Sequence, residues 1–558
     1  MNTSDNNHTA QGVSLEKIII ILALNMAFAT LYFLLKPLDR TTLINWNWLF
    51  QDIGTFKIYA VFLAATTIAT ALWSLCNEKV YILFLSAIFF LSISIAAKAP
   101  EVIPDAARYF IQAKYLKIYG PLYFIQHWGK EIPLWTDLPL GSFLFGLSFK
   151  TVTENRLIVQ AINVSLFLLT LIFTYRIALI LWGKTTALFS VGLLMVVPYL
   201  TVQVPMLMVD ILSMSMFSLI LFRTIAVNRK RDLFILFVCL TLALLTKYSI
   251  WLFTLAIIIP SALLLHRKEK LKGLLLTLVA GYFLVTLLLL KDRILLRQLH
   301  LLWEFQLHGL YKWHEPSLWL TFFHGHPFFL LSCIAGTVML LKEKHKVSFI
   351  FVIAITLFIL IGRGRYILPL MPLLSLAGGY ALGRLAKRLS LLVVGLAIVT
   401  SSFIVTVYCE EFNKYSFSNL QLMGQWLNQS DCEEIQVTVL PQKESLGQTA
   451  PMVALLDLYY QGHIISVAPW HFLEETFYHP LMFTWKIKRP PFYSARSFDP
   501  NIPTVVLGSS KADLKSTSVS FTNQSGHFRY KILLGVMEQH CAVRPSSQGV
   551  LSQMGQKS

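Results

Sequence analysis

"PDAARYFIQAKYLKIYG", residues 104–120, comes shortly after the apolar run 79–97. It places a carboxylate, Asp105, where a hydrophobic stretch has just ended, with Arg108 and Tyr109 one helical turn further on. Two roles are open to such an acid. It can cap a helix at a membrane surface, or it can be a base held at the boundary between lipid and water. The rest of the chain decides between them.

The 558 residues are 56% hydrophobic and 14% charged, with a mean hydropathy of +0.62. Soluble domains carry about 25% charged residues, so the composition reads as a polytopic membrane protein. The start, "MNTSDNNHTAQGVSLEK", is polar, and the apolar run behind it is long enough to span a bilayer; a cleaved secretory signal is not expected. The formal net charge is +18. Nucleic acid is not the reason. From residue 409 onward there are 12 Lys and Arg against 12 Asp and Glu, so the excess lies among the apolar segments, where loop charge sets topology. Six cysteines contain no Cys-x-x-Cys and no Cys/His cluster. Cys409, Cys432 and Cys541 share the tail, where one disulfide is open and at least one thiol stays free.

About thirteen spans are expected, at 17–36, 57–75, 79–97, 155–175, 186–204, 206–225, 232–246, 249–265, 273–290, 325–341, 347–361, 366–383 and 389–408. The apolar segment 139–150 is short; it is either re-entrant or an extension of the fourth span. With the N-terminus inside, the inner connections are "NEK" 77–79, "RIALILWGK" 176–184, "RTIAVNRKRD" 223–232, "HRKEKLK" 266–272, "KEKHK" 342–346 and "GRLAKR" 383–388. Every one carries Lys or Arg and most carry several, as the positive-inside bias requires, and one miscounted span would break the alternation. The outer connections are 37–56, 98–138, "TKYS" 246–249, 291–324 and "GRGR" 362–365. Lys247, Arg363 and Arg365 are exceptions to the bias, and such exceptions are functional candidates.

The tail, 409–558, reads as a separate extracytoplasmic α/β domain. Strand-like runs at 435–440, 463–468 and 504–508 alternate with helix-like runs at 420–429 and 450–461. The organisation expected is therefore 1–97 as N-terminal spans, 98–408 as a membrane region with large outer loops 98–138 and 291–324, and 409–558 outside.

Several charges converge on the outer side. Asp210 lies in "QVPMLMVDILSMSMF", just after Pro198 and Pro205, which make that hairpin irregular. A carboxylate in an apolar segment faces a polar cavity or a partner. Asp105 and Asp210 reach the same leaflet from distant segments, together with Arg108, Lys247, Arg363 and Arg365. This set suits an anionic, membrane-borne substrate whose tail lies in lipid and whose phosphate needs cations. Blander readings exist for each: a helix cap for Asp105, a buried partner of one arginine for Asp210, interfacial anchors for Arg363 and Arg365. His308, His314, His324 and His326 lie on a loop without a helical i, i+4 pair, and no metal site is expected. "GRGR" lacks the spacing and the lysine of a phosphate loop.

Five segments resemble one family in order over about residues 98–385. "PDAARYFIQAKYL" is similar to the segment that opens the first periplasmic loop of GT-C glycosyltransferases, above all the protein mannosyltransferases and the aminoarabinose transferases of lipid A. "WTDLPLGSFLFGLSF" resembles the Pro-Pro-Leu segment that follows, "MLMVDILSMSMF" the Asp-bearing helix, "LALLTKYSIWLFTLAIIIP" the Leu-x-Thr-Lys-Tyr segment, and "GRGRYILPLMPLLSLAGGYAL" the Arg-Tyr-x-Leu-Pro segment. Two positions depart. Ala106 stands where the family's first aspartate is usually followed by glutamate, and Leu138 stands at the lysine of the aminoarabinose transferases.

The resemblance implies a membrane glycosyltransferase that takes a sugar from a polyprenyl-phosphate donor and passes it, with inversion, to a protein, glycolipid or polysaccharide acceptor. By motif position it implies Asp105 as the catalytic aspartate and Asp210 as the second acid. Arg108, Tyr109, Lys247, Arg365 and Tyr366 fall at donor-phosphate positions, and Arg363 joins them by location. No cofactor and no metal is expected, and the preferred location is the bacterial inner membrane with the N-terminus cytoplasmic. Two other classes stay open: a transporter or lipid flippase using the same acids as a relay, and a non-catalytic relative that only binds lipid-linked sugar. No internal repeat and no paired interrupted helices favour the transporter. If the donor site is right, at least two of Arg108, Lys247, Arg363 and Arg365 lie within about 10 Å, near the Debye length, of Asp105 or Asp210.

Overall fold

The computed structural model describes residues 14–35, 54–101, 105–134, 136–303, 325–361, 364–415, 418–430, 432–439, 449–468, 470, 488–494, 499, 501–509, 517–522 and 532–537. Each of the thirteen apolar segments contains helix. Eight described helices are long and apolar enough to cross a membrane: Leu15–Leu35, Thr55–Leu75, Glu78–Lys98, Arg156–Trp182, Tyr248–Leu265, Lys268–Leu301, Gly364–Gly383 and Lys387–Glu410. The helices in the other five segments, Lys184–Leu194, Asp210–Ala226, Lys230–Leu244, Pro327–Lys342 and Ser348–Ile361, are shorter than the about 20 residues a span needs. Their apolar faces belong to the same bundle. Helix Lys268–Leu290 turns Leu276, Val279 and Phe283 outward on one stripe, as a lipid-facing helix does. The chain is an integral membrane protein.

Proline and glycine set the irregularities that matter. The fifth segment stops at Leu194, restarts at Pro198 as the short helix Pro198–Gln203, and gives way after Pro205, so that Asp210 opens a new helix. The fourth helix runs on to Trp182 and ends at Gly183, whose φ of 91° suits only glycine. The short segment 139–150 forms its own helix, Pro139–Thr151, and does not extend the fourth span: Asn155 starts the next helix by accepting from the Leu157 N–H at 2.9 Å. Helix Pro139–Thr151 lies against helix Asp105–Tyr119. The contact is close because Gly146 has no side chain; a Cβ there would sit 2.6 Å from the Ala113 carbonyl oxygen.

The C-terminal part carries a five-stranded mixed sheet of order β2-β1-β3-β5-β4, with β1 Glu434–Val439, β2 His463–Ala468, β3 Thr504–Ser509, β4 Thr517–Thr522 and β5 Ile532–Met537. β1 pairs in parallel with β2 and β3, while β5 runs antiparallel to β3 and β4. The three strands and two helices read from the sequence are present, and β4 and β5 are additional. Helix Thr449–Tyr459, which connects β1 to β2, packs on helix Asp105–Tyr119. Cys432 is disulfide-bonded; Cys409 is a free, buried thiol; Cys541 lies outside the described residues.

Candidate active site

Asp105 and Asp210 are each the first residue of a helix, Asp105–Tyr119 and Asp210–Ala226. Free backbone N–H groups and the helix dipole favour a negative charge at such ends. Lys247 precedes helix Tyr248–Phe253 in an extended conformation, φ −160° and ψ 145°. That helix continues through a π turn, Thr254–Ile258, shortly before Pro260. Arg365 and Tyr366 lie in the short helix Gly364–Ile367. These ends come from alternate connections of the bundle, so they share one side of it.

They meet. Arg365 Nη1 donates to Asp105 Oδ2 at 2.9 Å, and its Nε lies 3.5 Å from Asp210 Oδ2. Lys247 Nζ donates to Asp210 Oδ1 at 2.6 Å and sits 4.2 Å from the centroid of the Tyr366 ring. Arg108 Nη1 is 3.3 Å from Asp105 Oδ1, and the Arg108 guanidinium lies over the Tyr109 ring, 5.4 Å from its centroid. Of the four cations, Arg108, Lys247 and Arg365 thus lie well inside the expected 10 Å; Arg363 is outside the described residues. Asp105, Arg108, Tyr109 and Asp210 are all buried.

A third acid completes the set. Asp137, at the end of the loop before helix Pro139–Thr151, grips Arg108 with both oxygens: Nη2 donates to Oδ1 at 3.0 Å and Nε pairs with Oδ2. Sequence reasoning misses Asp137: in the sequence it is one loop acid among several, and its pairing with Arg108 is visible only in the fold. Gln112, one turn after Arg108, donates to the Pro133 carbonyl at 2.8 Å and lies 3.4 Å from Asp137 Oδ2. Gln298 Nε2 donates to the Asp137 carbonyl at 2.6 Å, and Gln298 accepts from the Tyr248 hydroxyl. A chain of hydrogen bonds therefore runs from the Lys247 segment through Gln298 and Asp137 to Arg108, and an ion pair continues it to Asp105.

Among the described residues three carboxylates face three cations, so their formal charges balance. Burial pushes the Asp105 carboxyl up, but the guanidinium groups of Arg108 and Arg365 outweigh it and hold it below the ordinary aspartate value. Asp105 is thus a carboxylate at neutral pH. Of the loop histidines, His308, His314 and His324 lie outside the described residues. His326 is buried, and its Nδ1 caps helix Pro327–Lys342 by accepting from the Phe328 N–H at 3.2 Å. Among the described residues no group of three His, Cys, Asp or Glu could hold a metal ion.

Residues 136–290 match the family described as dolichyl-phosphate-mannose-protein mannosyltransferase. Among solved structures the chain is similar to ArnT from Cupriavidus metallidurans bound to undecaprenyl phosphate, with 13% identity, 82% of this chain and 97% of that chain covered, and a TM-score of 0.50. The apo state of the same ArnT gives 12% identity, the same coverage and a TM-score of 0.48. No curated protein matches in sequence. The fold is ArnT-like, of the GT-C type to which the five segments had pointed.

Proposed function

We propose that this GT-C-like chain is a membrane glycosyltransferase that moves a sugar from a polyprenyl-phosphate donor to an acceptor outside the cytoplasm, with inversion. The observation that carries the reading is the buried cluster in which Arg108, Lys247 and Arg365 face Asp105, Asp137 and Asp210. Cations buried at this cost serve an anion. ArnT, of like fold, is seen with undecaprenyl phosphate, an anionic lipid that such a cluster suits. The matched mannosyltransferase family is named for a dolichyl-phosphate sugar, a donor of the same chemical class.

The chemistry follows from charge. The donor phosphate competes with Asp105 for Arg365 and Arg108, which frees the carboxylate at the moment the donor is seated. Asp105 then takes the proton of the acceptor hydroxyl; the oxygen forms its bond to the anomeric carbon from the face opposite the phosphate. The carbon–oxygen bond to phosphate breaks, its electron pair stays on the phosphate, and the cations carry that charge. Asp137 holds Arg108 for this task, and Asp210 holds Lys247 and Arg365. The basic loops support a cytoplasmic N-terminus. The disulfide at Cys432 suits an oxidising compartment for the 409–558 domain. We place the catalytic unit in 98–408 and the protein in a bacterial inner membrane.

The test is Asp105→Asn, compared with wild type in a strain deleted for the protein, with lipid and protein glycans read by mass spectrometry. The variant is expected at wild-type level, binding undecaprenyl phosphate and making no product. Full product at equal protein level removes Asp105 from the mechanism.

A further inference from the structure

The C-terminal part contacts the chain on each side of Asp105, at Lys114 within helix Asp105–Tyr119 and at Glu101 before it. Nine residues after Asp105, about 13.5 Å along the helix axis, Lys114 Nζ pairs with Asp457 Oδ2 at 2.5 Å and with Glu154 Oε1 at 3.0 Å. The Tyr493 hydroxyl donates to the same Asp457 oxygen, and the Lys114 ammonium also lies 5.7 Å from the centroids of the Phe492 and Tyr493 rings. Four residues before Asp105, the Glu101 N–H donates to the Tyr459 hydroxyl at 2.7 Å. Asp457 and Tyr459 are two residues apart on helix Thr449–Tyr459.

Glu101 is more than an anchor for its own segment. Its carboxylate takes Arg156 Nε at 2.8 Å and the Leu207 N–H at 3.3 Å, three residues before Asp210. Arg156 in turn sits 5.7 Å from the centre of the Tyr459 ring. The group that Tyr459 steadies therefore ties together the segments leading into both acids of the cluster. Burying this many charges is a poor way to gain stability, because apolar packing of the same volume does as well or better. Directional ion pairs do fix orientation, and orientation is what a base needs.

We propose that Asp457 and Tyr459 are positioning residues for Asp105, so that the C-terminal part sets the geometry of a site to which it contributes no reacting group. The proposal rests on the reading of Asp105 as the base, and its test separates the two. The full chain in lipid nanodiscs is compared by hydrogen exchange as wild type, as Asp457→Asn with Tyr459→Phe, and as Lys114→Arg. Product is followed in cells as above. The double variant is expected to exchange residues 105–112 at least tenfold faster, with the helix 387–405 unchanged, and to lose about tenfold in product. Lys114→Arg keeps the charge and is expected to stay within threefold of wild type in both. Unchanged exchange at 105–112 overturns the proposal. So does an equal rise through the whole chain, which would make the two residues general folding contacts. If Asp105→Asn abolishes product while the double variant changes neither exchange nor product, the clamp fails and the glycosyltransferase reading survives. Full product from Asp105→Asn with locally raised exchange in the double variant gives the reverse.

Discussion

Removing Arg365 is the sharpest test of the donor site, because this side chain touches both Asp105, at 2.9 Å, and Asp210, at 3.5 Å. Arg365→Ala leaves three carboxylates against two cations. Deleting one partner of a buried pair costs about 3–5 kcal/mol. Here each acid keeps a second cation, Arg108 at 3.3 Å from Asp105 and Lys247 at 2.6 Å from Asp210. The low end, about 3 kcal/mol of stability, is therefore expected. For the donor, the loss is one charge-assisted hydrogen bond to phosphate, about 1.5–3 kcal/mol. That corresponds to roughly 10- to 150-fold in affinity. Titration of the purified variant with undecaprenyl phosphate, followed by native mass spectrometry, measures it directly. Transfer assays should show the apparent Michaelis constant rising more for the donor than for the acceptor. Arg365→Lys keeps the charge but not the fork that reaches two acids, and should fall between. Undecaprenyl phosphate affinity within twofold of wild type, in a variant that folds normally, would refute the placement of the phosphate at Arg365.

Asp137→Asn takes away half of the grip on Arg108; product at matched protein level should drop by at least tenfold, read by the same glycan mass spectrometry. The pH dependence has a defined sign. Asp105 titrates below its ordinary value in the folded protein, so its ionic contribution is present above the unfolded value of about 3.9 and is lost only as pH falls through the lower, folded one. At donor concentrations well below the Michaelis constant, where rates report the donor-free enzyme, initial rates should thus hold from pH 7 down to about 5 as far as Asp105 is concerned, and a loss centred near pH 6 that Arg365→Ala moves to higher pH would contradict this. Gly146→Ala pushes a methyl group to 2.6 Å from the Ala113 carbonyl oxygen; a loss of about 1–3 kcal/mol is expected from overpacking, seen as a lower unfolding temperature in detergent.

How much of this could be read from residues alone depends on range. The helices could, because a run of apolar residues between basic loops is a local signal, and the alternation of loop charge is a second, independent one. The two acids and their cations could, because each breaks a rule of its own segment: Asp210 in an apolar run, Lys247 and Arg365 on the unexpected side. Asp137 could not be ranked above other loop acids, since its importance lies in the fork of Arg108, 29 residues away. Gln298 is further still, 161 residues from the carbonyl it holds. β4 and β5 were missed because "TSVSFT" is mainly polar and "ILLGVM" is an apolar run without alternation. The contacts of Asp457 and Tyr459 had no signal at all, being more than 340 residues from their partners Lys114 and Glu101.

The neutrality of the cluster is itself an argument about mechanism. A site with free cations would hold any anion, including the bulk phosphate and chloride of its surroundings. Here Arg108, Lys247 and Arg365 each have a carboxylate within 3.5 Å, so an anion is admitted only if it gains more than the carboxylate it displaces. A lipid-linked phosphate has that surplus, since its tail stays in the bilayer and its local concentration at the membrane is high. On the proposed function, displacement of Asp105 is then coupled to arrival of the donor: the base would be unmasked when a leaving group is in place, and paired when none is. Arg365→Ala is expected to uncouple the two, since it binds donor poorly and also loses one of the two guanidinium groups that hold the Asp105 carboxyl down.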